Sequence, residues 1–344
     1  MTATQSKFSV EIFTEVAGLH RIASEWQDLA SRCDSAPFQM PQWVILWADS
    51  FLPERIRVVA VYSGSTLVAL APLLVYPREE ERVLAFMAGG VSDYLDILVD
   101  NRFETEALAH ILHALADVDR WTTLDLTDVP ASSVLHRTLL SESRTAHDCC
   151  SVLSLPQSTE DLLHLLSKRQ RANLRNARSR LQRAGGATVE IATSETLDEF
   201  LDDLFRLHTN RWSGLGEPGV LADGNIRNFH ENAAPALLAQ GALRFYRLRV
   251  ERSTVAALYA MRSRDTLFCY LQGFDPDFSQ LSPGTHLIFC AMQDAIELRI
   301  RRFDFLRGDE EYKRHWRPQA EATYRMQAPR SAILLEPAKH DAAA

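Results

Sequence analysis

Cysteine is scarce. Five are scattered along 344 residues with no C-x-x-C pair, so no zinc site is signalled, and an odd number completes no disulfide framework. A reducing compartment is the expectation. No apolar run approaches the ~18 residues that a membrane span requires, and Met1 to Lys7 leads straight into an alternating segment. The expected location is therefore the cytoplasm, with membrane contact at most peripheral. Positive charge is also in short supply: 37 Lys and Arg against 45 Asp and Glu give a net charge of -8, which argues against a protein that coats nucleic acid. Short catalytic motifs are missing too. No G-x-S-x-G, H-E-x-x-H or P-loop sequence occurs, which leaves serine-hydrolase, zincin and NTPase readings without support, and no metal site is expected.

What the chain does have is apolar residue in quantity, 46% hydrophobic over a length that suits two cores of roughly 150 residues. Alternation predicts a strand over Phe8 to Phe13, and helical spacing predicts a helix over Leu19 to Ala30. Pro37 to Trp43 reads as a loop, with a Pro-initiated helix following through Trp47. A hairpin is expected at Ile56 to Tyr62 and Leu67 to Val75, closed around Ser63-Gly64, with a further strand near Tyr94 to Val99. Helix and strand then alternate: Phe103 to Ala116, Thr122 to Leu126, Ser132 to Leu140, Cys150 to Leu155.

The second half opens with Ser158-Thr159-Glu160-Asp161, a helix-start pattern, and its helix stops only at Gly185-Gly186, a length that invites an internal break. Next come a strand at Thr188 to Ala192, helices at Leu197 to Trp212 and Ile226 to Ala239, and a hairpin at Arg244 to Val250 and Val255 to Arg262. A strand at Leu267 to Phe274, a helix at Pro283 to Leu298 and a short strand at Phe303 to Leu306 complete it. Both halves share this order of elements. Ser65-Thr66-Leu67-Val68-Ala69-Leu70 also matches Ser253-Thr254-Val255-Ala256-Ala257-Leu258, and Tyr94-Leu95 matches Tyr270-Leu271, which suggests a duplication. The expected domains are 1–155 and 156–330, followed by a flexible tail at 331–344.

Chemistry concentrates in the second half. Ser282 is placed to cap a helix whose first residue is Pro283, leaving the amides of Gly284 and Thr285 to face an anion. Gln272 closes the strand before it as a lining residue. After the last strand, Arg307-Gly308-Asp309-Glu310-Glu311-Tyr312-Lys313 carries both charge signs and an aromatic, where α/β proteins place catalytic loops. Aminolysis of an acyl donor needs a base and an oxyanion donor: Asp309 or Glu311 can serve as the first, Lys313 as the second, with Tyr312 facing substrate. Lys168, Arg171 and Arg175 belong to a run of seven Lys and Arg over residues 168–183 with no acid among them, a face suited to a polyanion. His208, Arg211 and Trp212 can form a pocket wall.

The letters FDFLRGDEEYKRHW at 303–316 resemble bacterial GNAT-type proteins of the CelD/BcsL cellulose-biosynthesis kind. The resemblance extends through Tyr270 to Asp275, Ser282-Pro283-Gly284, His208 with Arg211-Trp212, and the basic helix from Ser167. It implies an α/β fold of tandem GNAT-like domains, each a mixed, largely antiparallel sheet flanked by helices, distantly similar to Fem peptidyltransferases. It also implies acyl-CoA as co-substrate, with no permanently bound cofactor, and an amine acceptor. In such a fold the donor lies where the fourth and fifth strands splay, with its pyrophosphate on the following helix. One departure stands out: Gln280-Leu281-Ser282-Pro283-Gly284-Thr285 replaces the usual Q/R-x-x-G-x-G/A loop, so aminoacyl-tRNA stays open as the donor, as does a non-catalytic binding subunit in polysaccharide or envelope assembly.

Overall fold

The computed structural model describes residues 8–118, 121–138, 143–214 and 216–334. The chain runs β1 (Phe8–Phe13), α1 (Val16–Arg21), α2 (Ala23–Arg32), α3 (Pro41–Phe51), β2 (Ile56–Ser63), β3 (Thr66–Arg78), β4 (Glu81–Phe86), β5 (Leu98–Val99), α4 (Glu104–Asp117), β6 (Thr123–Pro130), α5 (Val134–Thr138) and β7 (Arg144–Ser154). It continues with α6 (Thr159–Leu165), α7 (Lys168–Arg183), β8 (Ala187–Ile191), α8 (Leu197–Ser213), α9 (Gly224–Ala239), β9 (Leu243–Val250), β10 (Ser253–Ser263) and β11 (Thr266–Phe274). α10 (Pro283–Glu297), β12 (Arg302–Arg307), α11 (Glu311–Arg314), β13 (Gln319–Pro329) and α12 (Arg330–Leu334) end the described chain. Among the described residues no helix is long and apolar enough to cross a membrane.

These elements form two compact units, residues 1–148 with 322–344, and residues 149–321. The division differs from the expected 1–155 and 156–330 because β13, which sequence reading left without a structure, pairs antiparallel with β6 from Thr323↔Pro130 to Pro329↔Thr123. The C-terminal strand thus belongs to the first unit. Of the tail expected at 331–344, residues 335–344 lie outside the described residues.

Within the first unit the strand order is β1-β2-β3-β4-β6-β13, with β5 beside β3; within the second it is β8-β9-β10-β11-β12-β7. The two orders correspond place by place. In each, four antiparallel strands are followed by one parallel neighbour, β4 with β6 and β11 with β12, and then an antiparallel one. The matched hairpins take equivalent places, β2 with β3 and β9 with β10. Tyr94-Leu95 does not match Tyr270-Leu271 in this sense, because Tyr94 lies outside any strand and β4 is the counterpart of β11. Charge concealed β4: Arg78-Glu79-Glu80-Glu81-Arg82 reads as a loop, yet the long β3 pairs it from Leu73↔Phe86 to Arg78↔Glu81.

The long helix of the second half does break, at Leu166 and Ser167. Two serines cause it: Ser158 Oγ accepts from Asp161 N at 3.1 Å to start α6, and Ser167 Oγ accepts from Gln170 N at 3.1 Å to start α7. α7 and α10 then lay Leu174, Leu181, Leu287, Ile288 and Met292 on the sheet residues Leu248, Leu258 and Leu267. Each such burial is worth about 1.5–3 kcal/mol, which holds the start of α10 in place. In the first unit Ile111 and Leu115 of α4 pack on Leu84, Leu124 and Leu126, beside Trp121, whose Nε1 donates to Leu115 O at 2.9 Å.

Asp125 joins the C-terminal strand to this sheet. Arg325 donates to its two oxygens at 2.6 Å each, and Arg78 Nη1 donates at 2.5 Å. Burial disfavours the carboxylate, but these bonds outweigh it and hold its pKa below the ordinary range. Asp125→Ala is expected to cost about 2 kcal/mol near neutral pH, less than a fully buried pair because both guanidiniums reach solvent. The sign follows from a depressed folded-state pKa: the wild-type advantage is present above the ordinary carboxylate pKa and disappears as pH falls through the folded value. Urea denaturation of both proteins at neutral and acid pH measures it.

Candidate active site

Parallel pairing of β11 and β12 covers only Thr266↔Arg302, Leu267↔Phe303 and Phe268↔Asp304. Beyond that the strands part. β11 remains bound to β10 as far as Phe274↔Ala256. β12 is deflected by an irregularity between Asp304 and Arg307, where Leu306 takes a left-handed φ of 61° and its N–H donates to Asp304 Oδ1 at 2.7 Å. A left-handed leucine is strained and is held there by the surrounding bonds. The result is a gap between two strands at their C-terminal ends, the place where α/β sheets bind ligands.

Tyr312 reaches across the gap. Its ring meets Phe305 edge-on at 6.3 Å, and Gln272 of β11 is close enough to favour ionisation of its hydroxyl. Burial, reinforced by Cys269 and Glu310, pushes the phenol's pKa up, so it is a proton donor and not a phenolate. Gln272 and Tyr312, chosen separately from sequence, thus lie near one another.

α10 begins beside this gap. Ser282 occupies the N-cap with a left-handed φ of 55° and makes no side-chain cap, contrary to expectation; its Oγ instead accepts from Arg180 Nη2 of α7 at 2.8 Å. The first turn contains no acid, and the amides of Gly284 and Thr285 precede any helical carbonyl partner. A Cβ at Gly284 would meet only Phe274, at 3.9 Å, so the approach is open. Arg180 Nε is buried with no hydrogen-bond partner among the described residues. A guanidinium anchored to the helix start with a donor to spare completes an anion site. Sequence inspection had Arg180 within the basic run but no means of selecting it, since only the packing of α7 on α10 distinguishes it.

The cations selected from sequence fare differently. Arg171 Nη1 donates to the carbonyls of Leu163 and Leu166 at 3.1 and 2.8 Å, closing the end of α6, so its role is structural. Lys168 and Arg175 are exposed, with no acid paired to them among the described residues.

His208 is buried beneath the site and is not a wall. Desolvation, then Arg211, lowers its pKa to about 4 and keeps it neutral. Its ring lies 5.9 Å from that of Trp212. Gly219, with φ of 68°, would place a Cβ 2.7 Å from both rings, and a Cβ at Gly273 would sit 2.7 Å from the backbone N of His208. Both glycines therefore permit the close approach of α8 to its neighbours. Gly214, Gly216 and Gly219 have G-x-G-x-x-G spacing, but they follow a helix where a dinucleotide fingerprint follows a strand. Arg211 does face the site, its guanidinium 5.5 Å from the Phe274 ring centre and its charge acting on Tyr312.

Lys313 has the least expected setting. Only 2% exposed, its Nζ donates to the carbonyls of Leu306, Arg307 and Gly308 at 3.2, 2.5 and 3.2 Å and pairs with Glu310 at 2.8 Å. Three protons shared among four acceptors leave nothing for an oxyanion. Lys313 ties the loop down. Asp309 is exposed and paired with Arg314, whose hydrogen bonds and charge lower its pKa. Glu311 is exposed at the start of α11.

A family profile described as an acetyltransferase (GNAT) domain matches residues 168–314, the stretch from α7 to α11. The fold is accordingly that of a GNAT acetyltransferase domain in mixed, helix-flanked sheets. Among solved structures, FemX aligns at 13% identity over 92% of this chain and 96% of its own, with a TM-score of 0.67. A conserved protein of unknown function from Bacteroides thetaiotaomicron aligns at 15% identity over 93% and 99%, TM-score 0.59, and L-PGS from Bacillus licheniformis at 13% over 90% and 95%, TM-score 0.57. At such identities the likeness is one of fold. Comparison with curated proteins gave no match.

Lys313→Met keeps the stem and removes the ammonium, stranding three carbonyls and Glu310. A stability loss of about 3 kcal/mol is expected, against little change for Asp309→Ala. Thermal and denaturant unfolding of the two variants compares them.

Proposed function

We propose that the unit of residues 149–321 is an N-acyltransferase that moves an acyl group, in the simplest case acetyl, from acyl-CoA to an amine. The observation that carries this reading is the gap between β11 and β12 opening beside the acid-free start of α10, where Arg180 waits with an unpaired donor. The Gly284 and Thr285 amides, Ser282 and Arg180 hold the donor's phosphates. Gln272 and the free strand edges bond the pantetheine amides, and the thioester lies between the strands. The acceptor amine approaches past Arg211 and Trp212 and attacks the thioester carbon; a C–N bond forms and the C–S bond breaks. Glu311 takes the proton lost by the amine, Asp309 being the weaker base because Arg314 holds it charged. Tyr312 gives its proton to the departing thiolate and is reprotonated from solvent. Lys313 acts by fixing the loop that carries Tyr312 and Glu311. A cytoplasmic setting suits acyl-CoA, and the CelD/BcsL resemblance suits an acceptor in polysaccharide or envelope synthesis.

A second reading keeps this site and changes the donor to aminoacyl-tRNA, as in a Fem-like transferase. It rests on the exposed Lys168, Arg169, Arg175, Arg178 and Arg183 of α7, which have no acidic partner among the described residues, and on the departure from the usual donor loop at Gln280 to Thr285. Binding through several phosphates weakens steeply with salt, whereas acetyl-CoA binding does so far less.

Calorimetric titration with acetyl-CoA tests the first reading. Arg180→Glu is expected to weaken binding by about tenfold or more. Tyr312→Phe should leave binding unchanged and lower thiol release, measured with a panel of amines, by about a hundredfold. If acetyl-CoA neither binds nor raises the unfolding midpoint of the wild type, while an aminoacylated RNA minihelix does, the second reading replaces the first.

A further inference from the structure

The first unit contains the same strand gap with different chemistry. β4 and β6 pair in parallel only at Val83↔Thr123 and Leu84↔Leu124, then diverge. Along β3, β4, β6 and β13 lies a cleft of about 400 Å³, lined by Trp47, Tyr76 and Phe86, with Arg78, Arg325 and Asp125 as its charged groups and Gly89 on its rim. That volume is within the range of small-molecule sites. A second CoA site it is not, because α4 carries Glu104 and Glu106 in its first turn and Asp100 caps the turn before it, so a phosphate there would meet three carboxylates.

The lining of the cleft has its own sign. Two guanidiniums face one buried carboxylate. Asp125 takes Arg325 through Nε and Nη2 and Arg78 through Nη1, and Glu81, outside the lining, takes Arg78 Nη2 at 2.9 Å. Arg325 Nη1 and Arg78 Nε are left as donors without a partner among the described residues. The arginines are pre-set by Asp125, so a second anion would bind to side chains already ordered. The other end is apolar: Trp47, stacked on Phe51 at 5.5 Å, and Phe86 are buried and Tyr76 is 37% exposed, so the Tyr76 side chain is the aromatic group open to a ligand. The rim is held rigid as well. Ala88 and Gly90 take left-handed φ of 59° and 82°, and Ser92 Oγ donates to Ala88 O at 2.7 Å while accepting from Trp43 Nε1 at 3.0 Å.

We propose that this cleft binds a small amphiphile with a carboxylate or phosphate at one end and a flat apolar body at the other, the anion on Arg78 and Arg325 and the body against Trp47, Tyr76 and Phe86. This is independent of the donor reading, since every residue involved belongs to the first unit.

Gly89 supplies a clean test. It is not left-handed, and an added Cβ would meet only Phe86 O, at 3.9 Å, so Gly89→Leu can occupy the rim without strain. Calorimetric titrations with phenyl phosphate, benzoate and uncharged benzyl alcohol are run on the wild type, Gly89→Leu, and Tyr76→Ala, which removes an exposed ring. Expected are binding of at least one anion, at least about tenfold tighter than the alcohol, and a loss of about tenfold or more in both variants with unfolding midpoints unchanged. Whichever anion binds more tightly identifies the class. Failure of both anions to bind the wild type at about 10 mM, equal affinity for the alcohol, or undiminished binding to Gly89→Leu overturns the proposal. Acetyl-CoA titrated into Gly89→Leu should bind as it does to the wild type, which separates failure here from failure of the donor reading.

Discussion

A buried ammonium organises the site. Withdrawing Lys313 from water costs several kcal/mol, and only a full set of acceptors offsets it; the carbonyls of Leu306, Arg307 and Gly308 with the Glu310 carboxylate supply that set. Those carbonyls belong to the stretch where β12 turns away from its parallel neighbour, through a left-handed Leu306 and a Gly308 at φ of 102°. The lysine therefore fastens the strand end that opens the gap, and sets Tyr312, its neighbour in sequence, against Phe305 and Gln272. Breaking this one tie would disturb the geometry of every group proposed to touch the donor.

The same strand plan occurs in both units, yet the electrostatics differ. In the second unit the helix after the gap starts without acids and is met by Arg180; in the first, the corresponding helix starts with Glu104 and Glu106, and positive charge sits instead at Arg78 and Arg325. The repeated strand plan thus carries different charge in its two units. The first unit's sheet is completed by a strand that lies outside its main run of chain, β13. The return of β13 explains why a linear division of the sequence misplaced the C-terminal residues.

Local signals were readable where they depended on one stretch of chain. Hairpins, the capped start of α6, the Pro283 start of α10 and the apolar stripe of α10 all follow from spacing and residue type. Gln272, Tyr312 and Arg211 could be picked out as candidates because polar groups at the ends of apolar strands and helices stand out. Selection among similar residues failed. Seven cations in α7 look alike in sequence, and only packing shows that Arg171 closes α6 while Arg180 meets Ser282. Lys313 looked like a free cation in a charged loop, and His208 like a pocket wall, because burial is a property of neighbours far along the chain.

The sequence by itself determined the secondary structure of most of the chain, the doubled order of elements and the region that holds the candidate chemistry, since periodicity, capping and turn residues act over a few positions. Tertiary structure alone decided the return of β13 to the first unit, the concealed β4, the commitment of Lys313 and the pairing of Arg180 with the start of α10. Each of these depends on a contact between residues distant in the chain, whose energy is set by desolvation and by which partner arrives, and neither quantity is carried by residue type or spacing.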